Sequence, residues 1–276
     1  EIKTMPAVID KILNGNAAMF VEEVAAALVI DSKGWDTRAV AEPDTESVIR
    51  GPREGFIENL TTNTSLLRRK IRNPSLVFEH IRVGKQTKTN LAIAYIDGIV
   101  NQAVLVEVRK RLKKIDTDSI LETGYIEQFI EDKPFSLLAT ITNSQKPDIV
   151  AGKILEGRVA IFCDGTPHVL TVPHLFIEAL QTSEDYYMRP FIASVWRIIR
   201  IIALFISIFV PGLYVALSTF HQEMIPTILL LRMAGSISDI PFPAGAEMFI
   251  MLLFYELLRE SGIRLPRAVG SAISMQ

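Results

Sequence analysis

The residues able to do chemistry are few and scattered. The single cysteine, Cys163, lies in the apolar run Val159-Ala160-Ile161-Phe162-Cys163, which reads as a buried strand. A reactive thiol needs an accessible, electropositive setting, so Cys163 reads as a core residue, and one cysteine allows no internal disulfide framework. The four histidines, His80, His168, His174 and His221, do not cluster with carboxylates or cysteines at metal-ligand spacing. His168 and His174 flank Pro173 in a loop-like stretch and read as ordinary polar residues. Gly84-Lys85 lacks the rest of a phosphate loop, since Glu79 and Gln86 stand where glycine and a hydroxyl residue are required. Asn59-Leu60-Thr61 and Asn63-Thr64-Ser65 match the glycosylation pattern but fall on an expected helix of a cytoplasmic domain, which makes the match chance. Glu127, Glu131 and Asp132 read as a solvated acidic face. There is no Gly-x-Ser-x-Gly elbow. The expectation is a protein without catalytic residues, metal site or cofactor.

The charges that stand out are those in apolar surroundings. Ala244–Leu258 is apolar except for Glu247 and Glu256. An ionisable group at membrane depth is costly and faces a partner helix, a pore or water. Glu247, Glu256 and the nearby Arg232 are therefore the candidate pore or intramembrane residues. The alternative keeps both acids at the two interfaces with no special role. Glu256 and Arg259, three apart on a helix, can also pair locally.

These candidates depend on what holds them. Ile201–Phe220 is twenty residues without a charge, interrupted by Pro211-Gly212. A hydrocarbon core of about 30 Å needs about 20 apolar residues as helix, so a membrane span is expected, entered at about Phe191. Proline inside it is tolerated where neighbours satisfy the freed carbonyl. Arg189, Arg197 and Arg200 precede the run and serve as membrane-entry anchors. By the positive-inside rule they put the N-terminal domain in the cytoplasm. After the span come a short apolar stretch, Met224–Leu231, a break at Asp239–Pro243, and Ala244–Leu258. The last can span, re-enter or lie at the interface.

Before Phe191 the pattern is that of a soluble domain. Ala17–Ser32 reads as two short strands around a turn, and Ser32–Gly51 as a loop or linker between two lobes. Helices are expected over Arg53–Arg72, Asn101–Ile115, Ser119–Glu131 and Pro147–Leu155. Strands are expected over Leu76–Val83, Asn90–Ile96, Arg158–Cys163 and His168–Val172, the last two joined by the turn Asp164-Gly165-Thr166-Pro167. This makes an α/β domain on a mixed sheet. The expected division is 1–45, the end of a first α/β lobe with its linker; 46–190, a second α/β lobe; and 191–276, the start of a multi-pass, α-helical transmembrane region. Of 29 basic and 31 acidic residues, 23 and 26 precede Phe191. That mildly acidic balance argues against a nucleic-acid surface. The start at Glu1, without methionine, and the end just after an apolar stretch read as a fragment.

Several runs together carry a family resemblance: Arg50-Gly51-Pro52-Arg53-Glu54-Gly55-Phe56, Leu66-Leu67-Arg68-Arg69-Lys70, Tyr95-Ile96-Asp97-Gly98-Ile99, and Leu155-Glu156-Gly157-Arg158-Val159-Ala160-Ile161. Further on come Pro211-Gly212-Leu213-Tyr214-Val215-Ala216-Leu217, Thr219-Phe220-His221-Gln222-Glu223-Met224-Ile225-Pro226-Thr227 and Leu257-Leu258-Arg259-Glu260-Ser261-Gly262-Ile263-Arg264-Leu265-Pro266. The chain resembles the A subunits of GerA-type nutrient germinant receptors of spore-forming Bacillus and Clostridium relatives, over nearly its whole length from about Ala17. It departs at Ser136-Leu137-Leu138-Ala139-Thr140, where the family usually shows Ser-Pro-Phe-Pro-Gln, and at 232–239. The resemblance implies a multi-pass protein of the spore inner membrane that works with B and C subunits. It also implies a homo-oligomeric membrane part, a possible ion channel in contact with lipid, and a response, direct or indirect, to a nutrient germinant. It supplies no catalytic residue. The alternative is a membrane-tethered small-molecule sensor or scaffold without its own ion path.

Overall fold

The computed structural model of the chain describes residues 4–13, 16–21, 26–31, 39–43, 45–133, 136, 138–237 and 242–264. The chain divides into two compact units, Glu1–Tyr187 and Met188–Gln276.

The first unit opens with helix α1 (Met5–Leu13) and the antiparallel pair β1 (Asn16–Phe20) and β2 (Ala27–Asp31), with Asn16 opposite Asp31. The two strands match the sequence reading, which begins at Ala17 and so did not cover α1. Next come α2 (Leu60–Lys70), β3 (Leu76–Val83), β4 (Thr89–Ile96), α3 (Gln102–Lys114), α4 (Thr123–Ile130), β5 (Thr142–Ser144), α5 (Pro147–Leu155), β6 (Val159–Cys163) and β7 (Val169–Val172). The five later strands form one sheet in the order β3-β4-β6-β7-β5. Every pairing in it is antiparallel, which corrects the expected mixed sheet. The reason lies in the connections. Short turns join β3 to β4 and β6 to β7, and such turns reverse the chain; no helical crossover returns a strand in parallel.

Side-chain alternation sorts the two faces. Leu91, Ile93 and Tyr95 of β4, with Val159, Ile161 and Cys163 of β6, pack with Leu105, Val108 and Leu112 of α3 and Ile126 and Ile130 of α4. Ala92, Ala94 and Ile96 of β4, with Ala160 and Phe162 of β6, pack with Leu66 and Leu67 of α2 and Val150 and Ile154 of α5. The sheet is thus covered on both faces. That is why β4 and β6 read as unbroken apolar runs rather than alternating ones.

Two helices begin later than their apolar spacing suggests. α2 starts at Leu60 rather than Arg53. Phe56 and Ile57 are buried, but from an extended segment. The Phe56 N–H donates to the Gln145 carbonyl at 2.7 Å. Gly55 sits so close to Ala41 and Pro43 that a Cβ there would lie 2.7 Å from the Ala41 oxygen. Asn59 then caps the helix, its Oδ1 accepting from the Thr62 N–H at 3.0 Å. Asn63 is buried and closes the same loop, accepting from the Ile57 N–H at 2.8 Å and donating to the Ile57 carbonyl at 2.5 Å. Both asparagines of the glycosylation-like motifs thus have structural roles. α4 likewise starts at Thr123 rather than Ser119, because Ile120 is tied by both backbone groups to Thr87 and Thr89 at the β3–β4 turn.

The second unit holds α6 (Pro190–Thr219), α7 (Thr227–Ile237) and α8 (Ala244–Arg264). α6 is 30 residues long with a mean hydropathy of 2.3 in its most apolar window, none of it buried. Among the described residues it alone is long and apolar enough to cross a membrane. Pro211 lies inside it. α6 packs with α8, where Gly245 faces Val215. The Asp239–Pro243 break lies largely outside the described residues.

Candidate functional site

The most concentrated chemistry is in the first unit, on the segment leading from β7 to α6. After β7 the chain makes two 3-10 turns, Phe176–Leu180 and Ser183–Tyr186, and reaches α6 at Pro190. This strap lies along α5 and borders an open groove of about 740 Å³. Asp148 and Lys153 of α5, Arg158, His174 and Glu178, and Glu46 from the preceding loop line the groove.

Glu178 is the hub of the strap. Its Oε1 accepts from Arg158 Nη1 at 2.5 Å and from the Leu175 N–H at 3.0 Å. Its Oε2 lies 3.5 Å from Lys153 Nζ and 3.4 Å from His174 Nδ1. The side chains of Arg158, Lys153, His174 and Glu178 are 11%, 16%, 13% and 13% exposed, so these pairs are poorly screened by water. Arg158 also donates to the Pro173 carbonyl at 3.0 Å and pairs with Glu156 at 3.2 Å. Burial pushes the Glu178 carboxyl up, but Arg158, the Leu175 amide and Lys153 outweigh it and hold it below the ordinary carboxylate range. Burial lowers the Lys153 ammonium and the His174 imidazole, and their attraction to Glu178 does not make up the difference.

Two further ties hold the strap. Tyr187 Oη donates to Asp148 Oδ2 at 2.6 Å, and burial followed by this carboxylate raises the phenol above its ordinary range. The Tyr187 ring also closes over Gly51, where a Cβ would approach it to 3.1 Å. Glu184 Oε1 accepts from the Ile49 N–H at 2.7 Å. Tyr187→Phe removes the donor to Asp148, whose other oxygen already lacks a hydrogen-bond partner among the described residues. The expected cost is about 2 kcal/mol, read as a lower urea midpoint with an unchanged slope.

The residues singled out from the sequence fall mainly on the second unit. Arg189 is the exposed N-cap of α6, and Arg197 and Arg200 are half-buried within it. Arg232 is exposed on α7. Glu247 is half-buried in the first turn of α8, and Glu256 is exposed and paired with Arg259. At 100° per residue, Glu247 and Glu256 stand on opposite sides of α8, about 13 Å apart along its axis. The structure therefore does not bring the two acids to one face.

Cys163 is buried, and its thiol is pushed up to about 12 by burial, in keeping with a core role. Lys85 pairs with Asp116 at 2.5 Å. Asp132 of the expected acidic face pairs with Arg111 at 2.5 Å. His174, read as an ordinary polar residue, belongs to the Glu178 cluster. The cluster itself was missed, because its members come from α5, the α5–β6 turn and the strap. The available signal was His174 and Glu178, four apart in a segment without helical periodicity.

The sequence profile of the family described as "Bacillus/Clostridium GerA spore germination protein" matches residues 1–275. Spore germination protein KA of Bacillus subtilis is 48% identical over 273 residues, which cover 99% of this chain and 50% of that protein. Spore germination protein B1 of Bacillus subtilis is 41% identical over 274 residues, 99% of this chain and 57% of that protein. The chain thus spans about half the length of these relatives. A crystal structure of the N-terminal domain of the A subunit of the Bacillus megaterium spore germinant receptor GerK3 is 52% identical, with a TM-score of 0.37, covering 44% of this chain and 97% of that one.

Proposed function

The chain belongs to the GerA family of Bacillus/Clostridium spore germination proteins, and from that premise we propose that it is part of the membrane-embedded A subunit of a germinant receptor, coupling nutrient sensing to ion release. The observation that carries this reading is the strap. Its ion cluster at Glu178 and the Tyr187–Asp148 bond hold to the core of the first unit a segment that runs on in the chain to the apolar helix α6. A change in the soluble unit that reaches α5 or the Ile49–Gly51 loop is felt at Tyr187, and the next element is α6.

In this reading the organisation is residues 1–45 as the end of a first α/β lobe, 46–190 as a second lobe on the cytoplasmic side, and 191–276 as the start of a multi-pass domain in the spore inner membrane. The partners are further copies of the chain, B and C subunits, and lipid. Arg189, Arg197 and Arg200 anchor the entry to the bilayer. Glu247 is the better candidate for an ion path, since it is half-buried and Glu256 has Arg259 as a local partner. In spores or in liposomes carrying the assembled receptor, Glu247→Ala is expected to slow germinant-triggered ion release at least about tenfold, as loss of an intramembrane carboxylate from a conducting path requires. Release at the wild-type rate would remove Glu247 from the path.

The groove beside Glu178 favours a second reading, a membrane-tethered sensor or scaffold without its own ion path. Calorimetric titration of the protein with candidate nutrients separates the two. Heat with one nutrient, together with unaltered flux in Glu247→Ala, supports the sensor.

A further inference from the structure

Two neighbouring helices of the first unit carry opposite charge. α3 and α4 both cover the sheet face that holds Leu91, Ile93 and Ile161. Arg111 of α3 joins them, donating to the Ile130 carbonyl at 2.5 Å and pairing with Asp132 at 2.5 Å. Residues 102–114 hold five basic residues and one acid, whereas 122–132 hold four acids and no base. Pairing within the chain leaves a surplus on each side. Arg109 turns inward to Glu79, and Lys110 and Arg111 share Glu107. Lys113 and Lys114 remain, both exposed at the end of α3. Along α4 the surplus is Glu122, Glu127 and Glu131. Burial, followed by the charges of Glu131 and Glu122, pushes the Glu127 carboxyl up, with no cation offsetting them.

The same surface is apolar where water would be expected. A surface helix buries one face and turns a polar one to solvent. α4 buries Ile126 and Ile130. Yet Tyr125 and Phe129 on its other side, and Leu121 just before it, are 43%, 49% and 62% exposed, spaced four apart. Val106 on the outer side of α3 is 57% exposed. An apolar stripe flanked by surplus acids on one helix and surplus bases on the next is the pattern of an interface.

Charge decides what covers it. A basic partner would suit α4 and be repelled by α3, and an acidic partner would do the reverse. A second copy of this chain suits both halves, because its α3 meets α4 and its α4 meets α3. We propose that the α3–α4 face is a contact between copies, α4 of one lying on α3 of another with Tyr125 and Phe129 packed between them. The face is small. α3 and α4 are about 20 and 12 Å long and lie about 10 Å apart, so each copy offers roughly 400 Å², about half of what a stable complex uses. The contact therefore forms between copies already held together by the rest of the assembly. It rests on the reading of the chain as a subunit that works in several copies.

The test is crosslinking of the full chain in detergent at low salt with a carbodiimide, which joins only carboxylates and amines already in contact. Peptides from the band of doubled mass on a denaturing gel are compared with those from the single-chain band, which holds internal links only. The expected result is a link from Lys113 or Lys114 to Glu127 or Glu131 that is confined to the doubled band. Lys113→Glu with Lys114→Glu, or Glu127→Lys with Glu131→Lys, sets like charges against each other and is expected to cut that link at least about fivefold. Produced together, the two variant chains present opposite charges again, and the yield should return to within about twofold of the original. Such recovery also shows that both variants fold. Loss without recovery overturns the contact. A doubled band whose links lie elsewhere overturns it as well and leaves the assembly of copies standing. Links in the single-chain band from the α4 acids to the second unit show that the chain covers its own face, and they too overturn it. No doubled band at all rejects the contact and the assembly together.

Discussion

Replacing Glu178 by alanine is expected to lower the stability of the first unit by about 3 kcal/mol, because it takes the carboxylate from the enclosed Lys153 and one of two from Arg158. Arg158 keeps Glu156 and the Pro173 carbonyl, but among the described residues Lys153 has no other ion pair. Glu178→Gln keeps a side-chain oxygen for Arg158 and the Leu175 amide, and recovers about half of the loss. The checks are urea unfolding of the chain in detergent and, in spores carrying the variant receptor, the rate of germinant response. A loss below about 0.5 kcal/mol would place the cluster with exposed surface pairs, which contribute little. A normal response despite a large loss would separate the strap from signalling. The pH dependence has a definite sign. His174 is held below its ordinary value of 6.5, so below that pH the unfolded chain binds a proton that the native strap disfavours. Glu178 is held below its ordinary 4.5, so its contribution is complete above that pH and is lost as pH falls through the lowered value. Both groups weaken the strap in acid. His174→Gln should remove the part of the decline that begins near pH 6.5 and leave the carboxylate part.

The second large effect belongs to the core. Phe162 of β6 is fully buried, with its ring 5.4 Å from Phe56 and 6.4 Å from Phe78, both edge-on. Phe162→Ala removes both contacts and opens a cavity under α2 and α5, at an expected cost of about 4 kcal/mol. For a unit of this size that is a fall in melting temperature of roughly 10 °C. Phe162→Leu, which refills most of the space, should cost about 1.5 kcal/mol. A loss for alanine under about 1.5 kcal/mol would mean that the extended Phe56–Asn59 segment collapses into the gap. In that event the segment is held less firmly than its bonds to Gln145 and Asn63 imply.

How much of this could be read from the sequence depends on how local each feature is. β3, β4, α5 and the β6–β7 hairpin stand where apolar runs and turn residues put them, because those signals are contiguous in the chain. α2 starts late because the position of Phe56 is decided by Gln145, far along the sequence, and by the close approach at Gly55. β5 has three residues, Thr142-Asn143-Ser144, and no apolar pattern; its place is fixed by pairing with Val169–Thr171 of β7. The all-antiparallel sheet was hidden because the runs β4 and β6, covered on both faces, look the same whichever way a neighbour runs. The Glu178 cluster joins charges from three separate segments, none of which stands out alone. In the second unit the apolar run and its leading arginines were plain, as were the two acids Glu247 and Glu256, nine residues apart and so on opposite sides of α8.

Pro211 gives α6 a mechanical weak point. It has no N–H to give the Ser207 carbonyl, so the helix loses one bond at that point and gains a compliant joint. About 12 Å of helix lies beyond the joint, so a bend of about 20° there swings Thr219 sideways by about 4 Å. The lever has a long arm on the strap side and a short one on the far side. Such a lever trades travel for force, delivering a small displacement where α6 ends and the turn toward α7 begins.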